Sequence, residues 1–183
     1  RIYNTNGAAH TVTLDTNPPT LGLLVIDLPA AGALTNTLSL TTNNNLTAAG
    51  IFVGGHNGSG VTGGNGVLTQ SAGTVTTSAG SDLYLASGAG STGVYNLSGG
   101  ALNANLSTVV GSLGTGTVNH SGGVHTLFAE AIGGNLLVGY LAGSNGTYNL
   151  SGTGQLISNK HEIIGVDGVG QFVQTGGTNT ITG

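Results

Sequence analysis

The sequence predicts an all-β chain, a three-sided parallel β-solenoid of about six coils with no helices. Three observations predict it. A Gly-rich segment recurs along the chain, apolar and polar residues alternate inside each copy, and charge is almost absent. Self-similarity at a period of 20–50 residues is the sequence mark of a repeat architecture.

Five copies align: GVLTQSAGTV at 66–75, GVYNLSGGAL at 93–102, GTVNHSGGVH at 116–125, GTYNLSGTGQL at 146–156 and GQFVQTGGTN at 170–179. Their starts lie 27, 23, 30 and 24 residues apart. A weaker copy, IYNTNGAAHTV, opens at Ile2. The third position is Leu68, Tyr95, Val118, Tyr148 and Phe172, apolar in every copy, so it is assigned to an inward column. Gln70, Leu97, His120, Leu150 and Gln174 follow two residues on and share that face by strand alternation. Between them, Asn96, Asn119 and Asn149 face out and are expected to form a ladder, the kind of side-chain stack that supports piled β-structure.

A hydroxyl column comes next, at Ser71, Ser98, Ser121, Ser151 and Thr175. It is followed by a small residue: Ala72 in one copy and Gly99, Gly122, Gly152 and Gly176 in the others. These glycines are read as a corner whose dihedrals a β-carbon would obstruct. A second short run follows each corner, in TVTTS (74–78), ALNANL (101–106), VHTLF (124–128) and QLIS (155–158). A third run ends in an apolar residue and a small one: Val53-Gly54, Leu85-Ala86, Val110-Gly111, Val138-Gly139 and Ile164-Gly165. Three short strands per period of about 23–30 residues give three sides of a narrow tube.

The chain reads as one domain over 1–183, with less regular coils over 1–55 and regular repeats over 56–183. In the first part HTVTLD (10–15), LLVIDL (23–28), NTLSLT (36–41) and GIFVGG (50–55) are strand-like, separated by NPP and NNN turn signals. No segment has helical periodicity.

Composition narrows the function classes. Only Arg1, Lys160, Asp15, Asp27, Asp82, Glu130, Glu162 and Asp167 carry formal charge, 4% of the chain against roughly 25% in an ordinary domain. With two basic residues and a net charge of −4, nucleic acid is excluded as a partner, because its binding needs Lys and Arg to displace counterions. The absence of cysteine removes disulfides and thiolate sites. No apolar run approaches the roughly 18 residues of a membrane span. Three prolines and no Gly-X-Y period exclude collagen. The chain opens at Arg1 without Met or signal peptide and is read as processed or as part of a longer one.

The copies GVYNLSGGAL and GTYNLSGTGQL, followed by VVGSLGTGTVNHSGG and LLVGYLAGSNGTYNLSG, resemble the β-strand repeats of bacterial autotransporter-like and other large secreted surface proteins, over roughly residues 46–183. That resemblance implies a right-handed β-helix, export to the surface or the extracellular space, and a role in adhesion or matrix. It carries over no catalytic residue.

No enzyme, cofactor or metal is expected. Polysaccharide chemistry on β-helices needs grouped carboxylates, and here no two acids lie within four positions. The one charged cluster, KHEIIGVD (160–167), is read as a solvated edge of a third strand. His120 and His125 flank the Gly122-Gly123 corner and are expected to point apart, with His120 as a core histidine; zinc needs three or four converging ligands. The remaining histidines are His10, His56 and His161, the last of them part of the KHEIIGVD cluster. The calcium repeat GGxGxD lacks its Asp, and neither a phosphate loop nor a GxSxG elbow occurs. Thr-rich strands such as HTVTL and TNTIT suggest an ice-binding array only if Thr recurs in register, which the alignment does not give. Seven N-x-[ST] sequons (Asn45, Asn57, Asn96, Asn105, Asn119, Asn145 and Asn149) arise largely from the repeat itself. Three function classes are ranked, with an enzyme acting on polysaccharide last for want of grouped acids. The first is a structural subunit that stacks head to tail on its own copies, since no capping helix covers either end. The second is an adhesin stalk binding glycans, which exposed aromatic rows would favour; Tyr95, Tyr148 and Phe172 fall in the inward column instead.

Overall fold

The computed structural model describes residues 8–27, 34–56, 63–128 and 134–183; Arg1, the first six residues of the copy opening at Ile2, Leu28, Asn57 and Glu130 lie outside them. The described residues form 19 strands and no helix. The first coil is β1 (Thr11–Thr13), an isolated bridge from Leu21 to Ala48, and β2 (Leu24–Ile26). The second is β3 (Asn36–Leu40), β4 (Asn45–Ala48) and β5 (Ile51–Val53), and the third β6 (Asn65–Gln70), β7 (Thr74–Thr77) and β8 (Leu83–Leu85). The fourth is β9 (Thr92–Leu97), β10 (Ala101–Ala104) and β11 (Thr108–Val110), and the fifth β12 (Thr115–His120), β13 (Val124–Leu127) and β14 (Leu136–Val138). The sixth is β15 (Asn145–Leu150), β16 (Gln155–Ser158) and β17 (Glu162–Ile164); β18 (Val169–Gln174) and β19 (Thr178–Ile181) begin a further turn. The prediction of a parallel β-solenoid of about six coils is met: three parallel sheets run β1-β3-β6-β9-β12-β15-β18, β4-β7-β10-β13-β16-β19 and β2-β5-β8-β11-β14-β17.

Register follows the repeat. Leu38, Leu68, Tyr95, Val118, Tyr148 and Phe172 are successive partners on the first sheet. All but the half-buried Phe172 are fully enclosed, and the Tyr148 and Phe172 rings stack at 5.3 Å. The second sheet adds Leu46, Val75, Leu102, His125 and Leu156, and the third adds Ile26, Val53, Leu85, Val110 and Val138. The core is thus one thin column along the axis, stabilised at roughly 25 cal/mol per Å² of apolar surface removed from water. Strand β4 lies where the NNN triplet signals a turn. Asn45 nevertheless pairs with Thr74, because Leu46 and Ala48 supply two inward residues that continue the second sheet.

The first corner corrects the sequence reading. Of the four glycines assigned to it, only Gly152 has a left-handed φ, at +55°. In the other copies the next glycine takes that conformation: Gly100 and Gly123 at +79° and Gly177 at +70°. Gly99 and Gly122 are needed for space, since an added Cβ would stand 2.3 Å from Ser71 O and 2.5 Å from Ser98 O of the preceding coil. Gly176 is less tight, with 2.8 Å to Gly152 N.

The third corner is more uniform. Gly54, Ala86, Gly111, Gly139 and Gly165 all have φ between +56° and +75°, and each donates its N–H to the third strand of the preceding coil, as Ala86 N does to Val53 O at 2.9 Å. Ala86 is the one non-glycine residue with positive φ among the described residues. A left-handed alanine costs about 1–2 kcal/mol, while glycine's freedom in the unfolded chain offsets about 0.4–1 kcal/mol of any gain. Ala86→Gly is therefore expected to raise stability by about 0.5–1 kcal/mol in urea unfolding. Gly111→Ala should do the reverse by a larger margin, because its Cβ would meet Asn145 O at 2.3 Å.

Candidate functional site

On the outer face of the first sheet, Asn96, Asn119 and Asn149 stand in register. Asn119 Nδ2 donates to Asn96 Oδ1 and Asn149 Nδ2 to Asn119 Oδ1, each at 2.9 Å. Amides so chained are bonded to one another along the axis. The hydroxyl column marks the strand ends. Backbone N–H groups of Ser71, Ser98, Ser121, Ser151 and Thr175 each donate to the carbonyl of Leu40, Gln70, Leu97, His120 and Leu150 in the coil before. Their side chains are exposed, apart from the half-buried Ser151. Outside the second sheet, Thr47, Thr76, Thr126 and Thr180 share one outward file with Asn103 and Ile157. Thr recurs in register there, contrary to the sequence expectation, though Asn103 and Ile157 interrupt the file.

The third sheet holds what the sequence reading missed. Its strands are three residues long, and the middle residue points away from the core. Those residues are Val25, Phe52, Tyr84, Val109, Leu137 and Ile163, an apolar file on every coil. Phe52 and Tyr84 stack at 5.2 Å with planes 12° apart, and His56 meets Phe52 edge-on at 4.3 Å. Tyr84 Oη donates to Asp82 Oδ2 at 2.9 Å, and Ser107 N to Asp82 Oδ1 at 2.8 Å. Desolvation raises the Asp82 pKa against these two bonds; desolvation and the carboxylate together push the Tyr84 phenol up to about 12. An aromatic row thus exists outside the inward column. Its signal was the central residue of IFV and LYL.

Inside the tube, polar side chains gather where the fourth, fifth and sixth coils meet. His120 and His125 do not point apart. Both are fully buried, and their Nδ1 atoms each lie 2.9 Å from Tyr148 Oη. The corner at Gly122-Gly123 turns the chain from one wall of the tube to the next, so inward residues on β12 and β13 converge across its interior. His120 Nε2 lies 3.2 Å from Gly123 O, and His125 Nε2 lies 3.0 Å from Thr108 Oγ1. Burial lowers the pKa of both rings, that of His125 to about 3 with a contribution from His120. Burial also holds the Tyr148 phenol well above its usual range. One coil earlier, Tyr95 Oη donates to Gln70 Oε1 at 2.5 Å, and Gln70 Nε2 donates to Gly73 O and Ala101 O at 3.0 Å.

The KHEIIGVD segment is a third strand, β17, at the end of its sheet, but Glu162 is not solvated. It shares the inward file of Thr108 and Leu136, is half-buried, and accepts from Asn179 Nδ2 at 2.8 Å. Desolvation raises its pKa, opposed by the Asn179 bond. Among the described residues no three His, Cys, Asp or Glu are grouped to hold a metal ion, and no helix is long and apolar enough to cross a membrane. Comparison with protein-family models, curated proteins and solved structures finds no match.

Proposed function

We propose that the chain is a non-catalytic structural rod of an extracellular surface fibre, extended when one copy stacks head to tail on the next. One observation supports this reading: among the described residues, the three sheets are continuous parallel ladders in which each coil's strands pair with those of the coils before and after, a mode of stacking that a second copy can continue. An open strand edge is a template for another strand. A contact between two different surfaces of the same molecule propagates as a filament when it does not close into a ring. The resemblance of the repeats to those of autotransporter-like surface proteins supports the extracellular setting. A second reading, an adhesin stalk that binds glycans, is favoured by the outward Phe52–Tyr84–His56 row beside Asp82. It ranks lower because Phe52 and Tyr84 turn a face toward each other, and the Asp82 carboxylate already accepts two hydrogen bonds.

Electron microscopy of the purified 183-residue chain tests the first reading. Filaments one solenoid wide, with a strand spacing near ~4.8 Å by fibre diffraction, are the expected result. A chain that stays monomeric in sedimentation at high concentration refutes stacking. A glycan array with Tyr84→Ala as its control decides the second reading.

A further inference from the structure

The polar cluster inside the tube has only one consistent arrangement of hydrogens. Gly123 O is a carbonyl and only accepts, so the hydrogen between it and His120 belongs to His120 Nε2. A neutral His120 then has a bare Nδ1, which must accept from the Tyr148 hydroxyl. With its single hydrogen so used, Tyr148 Oη accepts from His125 Nδ1–H. His125 Nε2 is therefore bare and accepts from the Thr108 hydroxyl. The result is a directed relay: Thr108 to His125 to Tyr148 to His120 to Gly123 O. It fastens the fourth coil (Thr108), the fifth (His120 and His125) and the sixth (Tyr148) together.

A proton added to this relay has no good place. On His120 Nδ1 it makes both rings donors to Tyr148 Oη, whose own hydrogen then loses its acceptor. On His125 Nε2 it displaces the Thr108 hydroxyl hydrogen. Either way a cation is buried with no acidic side chain hydrogen-bonded to it. Strands β9 to β16 carry no Asp, Glu, Lys or Arg. The titratable groups facing the relay are Tyr95 on β9 and Glu162 on β17, both acting on Tyr148; β10, β11, β16 and β18 present none. Buried charge without a partner is among the strongest destabilising events in a protein.

We propose that this relay is an acid-triggered release built into the solenoid, which holds coils four to six together while both histidines are neutral and parts them when either takes up a proton. Release is local, because each coil of a solenoid contacts only its neighbours. At the equivalent positions the third coil carries Gln70 and Val75 and the fourth Leu97 and Leu102, none of which titrates. The sign follows from linkage. The fold keeps both rings neutral, so the unfolded chain binds more protons below pH ~6.5, and stability is full above that value and falls as the pH drops toward about 3. Glu162 and Asp82, raised by burial, act in the opposite sense as they protonate, Asp82 doing so in the third coil outside the released segment.

Two measurements test the proposal. In ¹⁵N-histidine spectra of the unmodified chain at pH 7, His120 should be the Nε2–H tautomer and His125 the Nδ1–H tautomer. The opposite tautomer on either ring, or a ring titrating near 6.5 in the folded chain, overturns it. Hydrogen exchange corrected for intrinsic rates should show protection in 108–127 and 145–158 falling by about thirtyfold or more between pH 7 and pH 5. Protection over 65–77 should hold. His120→Leu/His125→Leu carries the residue that neighbouring coils already use, and should lose this acid sensitivity. If that variant folds and still opens as the unmodified chain does, the release lies elsewhere; if it does not fold, the tautomer measurement decides.

Discussion

Gly93→Ala is expected to destabilise the chain by about 3 kcal/mol or more, the range in which backbone must move to admit a methyl group. Gly66, Gly93, Gly116, Gly146 and Gly170 form one file through the first sheet, each the second residue of its strand. Each lies against the third corner of a neighbouring coil. A Cβ on Gly93 would stand 2.0 Å from Val53 O and 2.6 Å from Ala86 N, the two ends of the Ala86 to Val53 hydrogen bond. Those atoms are backbone and no rotamer relieves the overlap. Gly80→Ala is the control. Gly80 has φ +73° with nothing near its Cβ position, so it carries the left-handed penalty alone, about 1–2 kcal/mol. Urea unfolding should separate the two by about 1 kcal/mol or more. Equal losses at Gly80 and Gly93 would mean that the file is glycine for its dihedral and not for the close approach.

This file shows how the sequence was legible and where it was not. Glycine opens all five aligned copies and fixed the alignment, yet its reason is visible only when the corner of another coil is brought against it. The inward column was readable because strand alternation is a local rule: Tyr95, Val118 and Tyr148 needed only their own strand to be placed. The first corner was placed correctly but its dihedral was assigned one residue early in three of four copies, because Gly-Gly does not say which glycine turns. The convergence of His120 and His125 depends on the angle between two walls of the tube, which no pattern within a strand encodes. The outer row of Phe52 and Tyr84 was overlooked because a three-residue strand gives one outward position per coil, too few for alternation to show.

The pair formed by Gln70 and Tyr95 should behave as a unit, and a double-mutant cycle will show it. Both side chains are fully buried, and Tyr95 Oη donates to Gln70 Oε1. Tyr95→Phe leaves that oxygen without a donor, and Gln70→Leu leaves the phenol without an acceptor. Each orphaned group is expected to cost about 1–3 kcal/mol, the desolvation of a buried polar atom that finds no partner. The phenol cannot escape by ionising, since burial holds its pKa far above the usual value. Tyr95→Phe combined with Gln70→Leu removes both orphans and installs leucine between its register partners Leu40 and Leu97. The Gly73 carbonyl that Gln70 Nε2 served still accepts from Ala101 N. The double variant is therefore expected within about 1 kcal/mol of the parent, with a coupling energy of about 1–3 kcal/mol between the two sites. Losses that simply add would mean that the third and fourth coils are joined by shape and that the buried hydrogen bond contributes nothing of its own.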